Sequence, residues 1–420
     1  FHAWDPTSKA IIAIVGYDFM ICEDYIEEIE MSIVMDVKNS EIPVMICNSF
    51  LAMDRIDIAF YFFSKYPSLV QKSMKGKEVS DRITGAIRDL KIKHDLISRY
   101  TIKKNPIYTD VEVIRNIMEK LPDKKGTIRK REKRLGIHSH TLDIGGAERQ
   151  VSMLLRLLAK GKIKSKSFSF ITNLVPENKT DSSNYYPEIE DLGIEIFEYG
   201  KNIEKYGEFR KNHQYIKILK HLSPLKMRRV LSMYSIYGIG KFDVVNTWQD
   251  WCNIYGGIAS LMAGTRRVIL FGRTMPPHQK NRLQSRSGRS YQEAYKLLLS
   301  SNRVEMVHNS VSGMRQYSEW LDIAESEFEV IHNGYEIDKF GIEGGELSTK
   351  RVELGISDDD FVVGFVGRFS SDKRPWLFIS MAELIINGAE KSLNSIELED
   401  WKRLGVEGHL HARNPWLPYH

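Results

Sequence analysis

The sequence predicts an α/β protein built on a doubly wound parallel sheet and preceded by a mainly helical extension. Three observations carry that expectation. From about Leu135 short apolar runs alternate with amphipathic stretches, as in βαβ units. Glycines stand where an apolar run gives way to an amphipathic one, notably Gly145 and Gly146. Ahead of Leu121, apolar residues recur instead at three- and four-residue spacing, the period of a helix face.

In the first 121 residues "EDYIEEIEMSIVMDV" and "SFLAMDRIDIAFYFFSKYP" read as helices, the second closed by Pro67. It resembles one helix of a helical-hairpin repeat, although no second copy stands at a fixed period. Residues 122–134 form a basic linker, either a solvated run or a patch facing lipid or a partner. Residues 135–340 read as one Rossmann-like domain. "RLGIHSH", "SFSFITNLV", "GIEIFEYG", "FDVVNTW", "RRVILFGR" and "VEMVHNS" are its strands. "GGAERQVSMLLRLLAK", a basic helical region around "QYIKILKHL", "NIYGGIASLMAG" and "VSGMRQYSEWL" are its helices. "FEVIHNGYEIDKFGIEGGE" has the turn-rich composition of a crossover linker, and residues 341–420 begin a second α/β unit with the strand "FVVGFVG".

Bulk properties narrow the functional classes. The 420 residues are 42% hydrophobic and 27% charged, ordinary for soluble domains, and a net charge of +5 does not mark a nucleic-acid binder. Cys22, Cys47 and Cys252 lie far apart with no CxxC spacing, which argues against a disulfide framework or structural zinc and fits a reducing cytoplasm. The apolar run from Ala10 to Cys22 is short and contains Asp18, so it reads as buried core rather than a membrane span. A chain beginning at Phe1 and ending in "HARNPWLPYH" is expected to be cut from a longer polypeptide.

Gly145 and Gly146 follow a strand ending near His140 and precede a helix whose apolar face includes Val151, Leu154, Leu155 and Leu158. Such a turn either admits an anionic ligand to the helix N-terminus or is a plain packing device. Trp248 and Asp250, at the end of "FDVVNTWQD", line a ligand pocket or serve as strand-end packing. Arg273 and His140 are comparable strand-end candidates.

"GGAERQ", the linker "IHNGYEIDKF" and "VGFVGRFSSDKRP" occur in the order and at the separations found in family-4 glycosyltransferases. From about Leu135 onward the chain resembles these two-Rossmann-domain, GT-B fold enzymes, with an incomplete second domain. "TWQDWCNIYGGIASLMAGTRRVILFGRTMPP" is similar to the branch acting in capsule, lipopolysaccharide and exopolysaccharide synthesis. The resemblance implies transfer of a sugar from a nucleotide-sugar donor, such as a UDP- or GDP-sugar, to a glycan or lipid-linked acceptor, with retention and without a metal or other cofactor. It implies that Arg368 and Lys373 bind the donor diphosphate, that Gly145 and Gly146 close over it from the first domain, and that Asn333 and Gly334 set the hinge. Glu148 and Arg149 belong to the same signature.

The chain departs from the family in two places. Asn246, Thr247 and Trp248 stand where many members carry a histidine. The family's glutamate pair, with seven residues between its members, is matched only in spacing by Glu399 and Glu407, which come too early and lack the expected turn residues. The pair is expected beyond His420, so the catalytic residues stay unassigned. Two other readings stay open, a GT-B-fold sugar-nucleotide epimerase and a non-catalytic interaction protein. The basic stretches "KKGTIRKREKR" and "YIKILKHLSPLKMRR" fit peripheral contact with an anionic membrane under the transferase and interaction readings alike.

Overall fold

The computed structural model describes residues 26, 29–30, 33, 41–122, 134–161, 167–173, 175, 184–200, 213–277, 288–336, 344–357, 359–367, 369 and 373–386. The chain divides into two compact units, Phe1–Gly334 and Tyr335–His420.

The first unit opens with helices. Ile26, Ile29 and Ile33 are helical and buried, as their three- and four-residue spacing requires. There follow α1 (Glu41–Ala52), α2 (Ile56–Lys65), α3 (Pro67–Val70), α4 (Met74–Asp89), α5 (Arg99–Lys104) and α6 (Thr109–Met118). The single helix expected over "SFLAMDRIDIAFYFFSKYP" is in fact two. Asp54 takes a left-handed conformation, φ 60°, and turns the chain between α1 and α2. A buried ion pair holds the turn: Arg55 donates from Nε to Asp57 Oδ1 and from a terminal nitrogen to Oδ2, both at 2.9 Å. Apolar periodicity continues across the break, so the pattern alone does not reveal it. Pro67 opens α3 at its first position, where a missing N–H costs nothing. Ser73 and Ser98 cap α4 and α5 by accepting backbone N–H bonds.

Seven parallel strands follow, β1 (Arg134–His138), β2 (Ser167–Thr172), β3 (Glu195–Glu198), β4 (Val244–Trp248), β5 (Arg267–Gly272), β6 (Val304–His308) and β7 (Phe328–Val330), in the order β3-β2-β1-β4-β5-β6-β7. The helices between them are α7 (Gly146–Ala159), α8 (His213–Leu219), α9 (Pro224–Gly240), α10 (Gly257–Met262), α11 (Gly288–Leu299) and α12 (Val311–Leu321). The doubly wound α/β expectation holds. Two details differ: "FEV", read as linker, pairs with β6 as the edge strand, and α11 occupies a stretch for which no helix was expected.

Side-chain alternation divides the sheet. Ile137, Phe170, Trp248, Phe271 and Val307 face a core shared with Val151, Leu155 and Leu158 of α7. Ile171, Val245, Val268, Leu270 and Met306 face the other side, whose core runs without interruption into the opening helices through Phe50, Phe62, Ile83 and Ile114. The helical extension therefore shares its interior with the sheet. A charged cluster reinforces that junction: Lys226 of α9 pairs with Asp54 and lies 3.5 Å from Asp110 of α6, which accepts a 2.9 Å bond from the Tyr255 hydroxyl. Lys220 pairs with Asp89 at 2.8 Å, so two cations of "YIKILKHLSPLKMRR" are engaged in ion pairs with the opening helices. The linker run from Lys124 to Lys133 lies outside the described residues.

In the second unit α13 (Gly344–Glu353) and α14 (Pro375–Ile386) are formed. "FVVGFVG" is not the expected strand: residues 361–367 have no ladder partner among the described residues, and Phe361 and Val366 are fully exposed. A parallel strand is stable only between covered neighbours.

Burial raises the Asp54 carboxyl to about 6, aided by Asp110 and opposed by Lys226. Its protonated form is thus favoured by folding, a contribution complete below the unfolded value and lost as pH rises through about 6. Between pH 4 and pH 7 the wild-type chain should lose about 2 kcal/mol relative to Asp54→Asn in urea denaturation; parallel profiles would refute the coupling. Lys226→Met leaves the two carboxylates facing each other and should cost about 3 kcal/mol in the same measurement.

Candidate active site at the β1–β4 switch point

The strand order reverses between β1 and β4, which pair in parallel from Leu135 with Val244 to His138 with Thr247. Helices leaving adjacent strand ends toward opposite faces open a crevice there, where such sheets bind ligands. Four segments reach it: the β1–α7 loop, the Trp248–Trp251 corner, the end of β5, and the end of β6.

The β1–α7 loop carries the predicted glycines. Gly145 is the N-cap of α7 with extended backbone, and a Cβ there would meet only the flexible end of Glu148. A Cβ on Gly146 would meet nothing within 4 Å. Neither glycine is demanded by backbone conformation; the surface at Gly146 is exposed, whereas the Glu148 carboxylate lies against Gly145. Glu148 is fixed across the crevice by Gln249, which donates from Nε2 to Oε1 at 2.6 Å. Gln249 itself takes φ 70°, a conformation that costs a side-chain-bearing residue about 1 kcal/mol or more. No residue pattern signalled this strained corner; the structure adds Gln249 to the site.

The predicted strand-end residues separate into packed and open ones. Trp248 is buried, its ring edge-on to Phe271 at 4.5 Å and its indole N–H donated to Asn246 at 2.6 Å; of its two readings, strand-end packing is the one present. Asp250 accepts from the hydroxyls of Tyr295 and Tyr317 at 2.9 and 2.6 Å, an anchoring role that needs two buried phenols. Arg273 lies with its guanidinium 5.0 Å from the ring centres of both Trp248 and Phe271, and burial lowers its pKa to about 10. His140 sits 2.7 Å from the Tyr199 hydroxyl and 5.4 Å from the Trp251 ring, with burial followed by the Arg229 charge disfavouring its protonation.

Beneath these lies a buried histidine, His138, whose Nδ1 is 2.6 Å from the Tyr237 hydroxyl; burial holds its pKa down to about 3. A single turn of π-helix, Cys252–Gly256, opens α10 opposite it. A Cβ on Gly256 would approach the His138 ring to 2.6 Å, so only glycine lets this turn close over the ring. At the end of β6 His308 is likewise buried, its pKa lowered to about 4 by burial against the opposing charge of Asp250. A lone histidine in a strand gives no sign of such surroundings.

Asn333 and Gly334 are described at the end of the first unit. Gln150 of α7 donates to the Gly334 carbonyl and accepts from its N–H, both at 2.9 Å, which clamps the start of the linker to the site helix. Arg368 lies outside the described residues, as do Glu399 and Glu407. Lys373 is exposed just before α14 in the second unit. Among the described residues no group of three His, Cys, Asp or Glu side chains could hold a metal, and no helix is long and apolar enough to cross a membrane.

No protein-family model matches the sequence. The chain is 27% identical over 265 residues to the Vi polysaccharide biosynthesis protein VipC/TviE of Salmonella typhi, covering 59% of this chain and 45% of that protein. It is 27% identical over 179 residues to the UDP-Gal:alpha-D-GlcNAc-diphosphoundecaprenol alpha-1,3-galactosyltransferase of Escherichia coli, covering 40% and 43% respectively. The chain thus matches less than half the length of either protein. A 24-residue stretch, 6% of the chain, is 79% identical to kynureninase of Myxococcus xanthus, too short a span to be a domain. Among solved structures, Anabaena HepE in complex with UDP and glucose is 15% identical, with a TM-score of 0.43 over 66% of this chain and 67% of that one.

Two glycine substitutions separate packing from ligand access. Gly256→Ala should destabilise the chain by about 2 kcal/mol or more, because the buried imidazole cannot retreat. Gly146→Ala should leave thermal stability unchanged or slightly raised, since alanine is the better helix former. Equal losses in the two variants would contradict the assignment of open space to Gly146.

Proposed function

We propose that this protein is a glycosyltransferase of polysaccharide assembly that takes a nucleotide-sugar donor, a UDP- or GDP-sugar, and passes the sugar to a glycan or lipid-linked acceptor. The observation that carries the proposal is the similarity to a polysaccharide biosynthesis protein and to a UDP-Gal-dependent galactosyltransferase, in a chain whose parallel sheet has a switch point between β1 and β4. The finer reading is a retaining enzyme of family 4, acting without a metal on capsule, lipopolysaccharide or exopolysaccharide, in the cytoplasm or peripherally at the inner face of the plasma membrane.

The chemistry sets what the residues must do. As the glycosidic bond breaks, negative charge grows on the leaving diphosphate, and fixed cations and aimed backbone amides stabilise it without the reorganisation water would need. The amides at the α7 N-terminus beside Gly145 and Gly146 suit that role in the first unit. Arg368 and Lys373 supply the cations in this reading. No catalytic residue is assigned within the chain.

Arg368→Ala and Lys373→Ala should each weaken UDP or GDP binding roughly tenfold in calorimetry, the usual scale of a charge-assisted contact; unchanged affinity in both variants would remove the donor-site reading. Transfer by the protein should survive chelation of divalent cations and require an acceptor glycan. Turnover of the sugar nucleotide without an acceptor, giving an epimer, would favour the epimerase reading instead.

A further inference from the structure

Arg273 stands out among the cations of the first unit. It is half-buried, yet among the described residues no carboxylate or carbonyl receives its guanidinium, and its Nε is buried without an acceptor. Arg134, Arg156 and Arg266 also have a buried Nε with no hydrogen-bond partner; Arg134 and Arg156 each pair with a glutamate, Glu195 and Glu188, and Arg273 differs from Arg266 in lying against the aromatic pair Trp248 and Phe271 at the strand ends. The nearest negative charge to act on Arg273 is Glu148, and Gln249 holds that carboxylate by its Oε1 at 2.6 Å. The sequence following β5, residues 278–287, contains no Asp or Glu that could neutralise the arginine from its own loop.

Burying a cation without a partner is costly, and proteins accept the cost where a ligand completes the pair. The surroundings also fix its orientation. Trp248 and Phe271 lie on one side of the guanidinium, each ring centre 5.0 Å from it and the two centres 4.5 Å apart, so the aromatic pair holds that flank and leaves the rest of the group available for hydrogen bonds. An arginine edge presents two parallel N–H donors, the fork that matches two oxygens of a phosphate or carboxylate. Arg273 directly follows β5, on the crevice side opposite the α7 N-terminus.

We propose that Arg273 binds an anionic group carried by the acceptor, a phosphate or a sugar carboxylate, and so selects acidic or phosphate-linked acceptors over neutral glycans. The inference rests on the glycosyltransferase reading for its choice of the acceptor, while the anion site itself rests only on the arginine and its surroundings. The neutral packing of Trp248 becomes the floor of that site, which explains why a tryptophan ends β4 without offering a face to a sugar.

The test measures binding of inorganic phosphate, of glucuronate and of UDP to the full chain by calorimetry, for the wild type, Arg273→Lys and Arg273→Gln, with melting temperatures recorded alongside. Arg273→Gln should lose phosphate and glucuronate affinity by tenfold or more, and Arg273→Lys should lose part of it, because the charge stays and the fork goes. UDP affinity should be unchanged in both. Unchanged phosphate and glucuronate affinity in a folded Arg273→Gln would overturn the site. A parallel loss of UDP affinity would assign the arginine to the donor diphosphate and overturn the acceptor assignment. Absence of UDP binding in every variant, the wild type included, would count against the transferase reading while leaving the phosphate result to judge Arg273. Should Arg273→Gln fail to fold, Arg273→Lys alone decides, since the same affinities in it and the wild type would exclude a fork-shaped contact.

Discussion

The parallel pairing of β1 with β4 is the constraint on which the rest of this molecule depends. These neighbours in space are separated by two strands and three helices in sequence, and the chain must leave them toward opposite faces of the sheet. The crevice is the geometric consequence. Everything assigned to the site hangs on strand ends or first helical turns around it, so side chains distant in sequence, Glu148, Gln249 and Arg273, come within reach of one another through the ladder.

A layer of aromatic and histidine side chains keeps that crevice in shape from below. His138 is neutral, bonded to Tyr237 and covered by the π-helical turn at Gly256, while Tyr199 stacks on Trp251, over which Arg229 is placed at 5.5 Å. The same helix α9 that supplies Tyr237 and Arg229 also carries Lys226 into the acidic pair of the opening helices. The extension and the floor of the site therefore share one rigid element, and loosening either should be felt by the other.

Much of the sheet was legible in the sequence because central parallel strands are short apolar runs closed by polar or glycine residues, as in "RLGIHSH" and "RRVILFGR". The three-residue edge strand Phe328–Val330 is too short to show a period, and the break at Asp54 interrupts no apolar pattern. Residues 361–367 mislead in the opposite direction: they have the composition of a buried strand, but a strand also needs partners, which composition cannot supply. At the site, position was readable and role was not. Asp250, Trp248, His140 and Arg273 stand where strand-end reasoning put them, yet only the neighbours show that Asp250 anchors two tyrosines, that Trp248 is packed, and that Arg273 has no ion pair among the described residues. Gln249 was invisible, since its importance lies in a backbone conformation glutamine seldom adopts.

In the glycosyltransferase proposed above, the β1–β4 crevice takes the nucleotide-sugar. Amide hydrogen exchange, followed with and without a saturating UDP-sugar, tests it most directly. The account predicts added protection in residues 139–150 and 248–252, at the two strand ends that flank the switch point. Protection confined to other parts of the first unit, with those two segments exchanging as in the free protein, would contradict it.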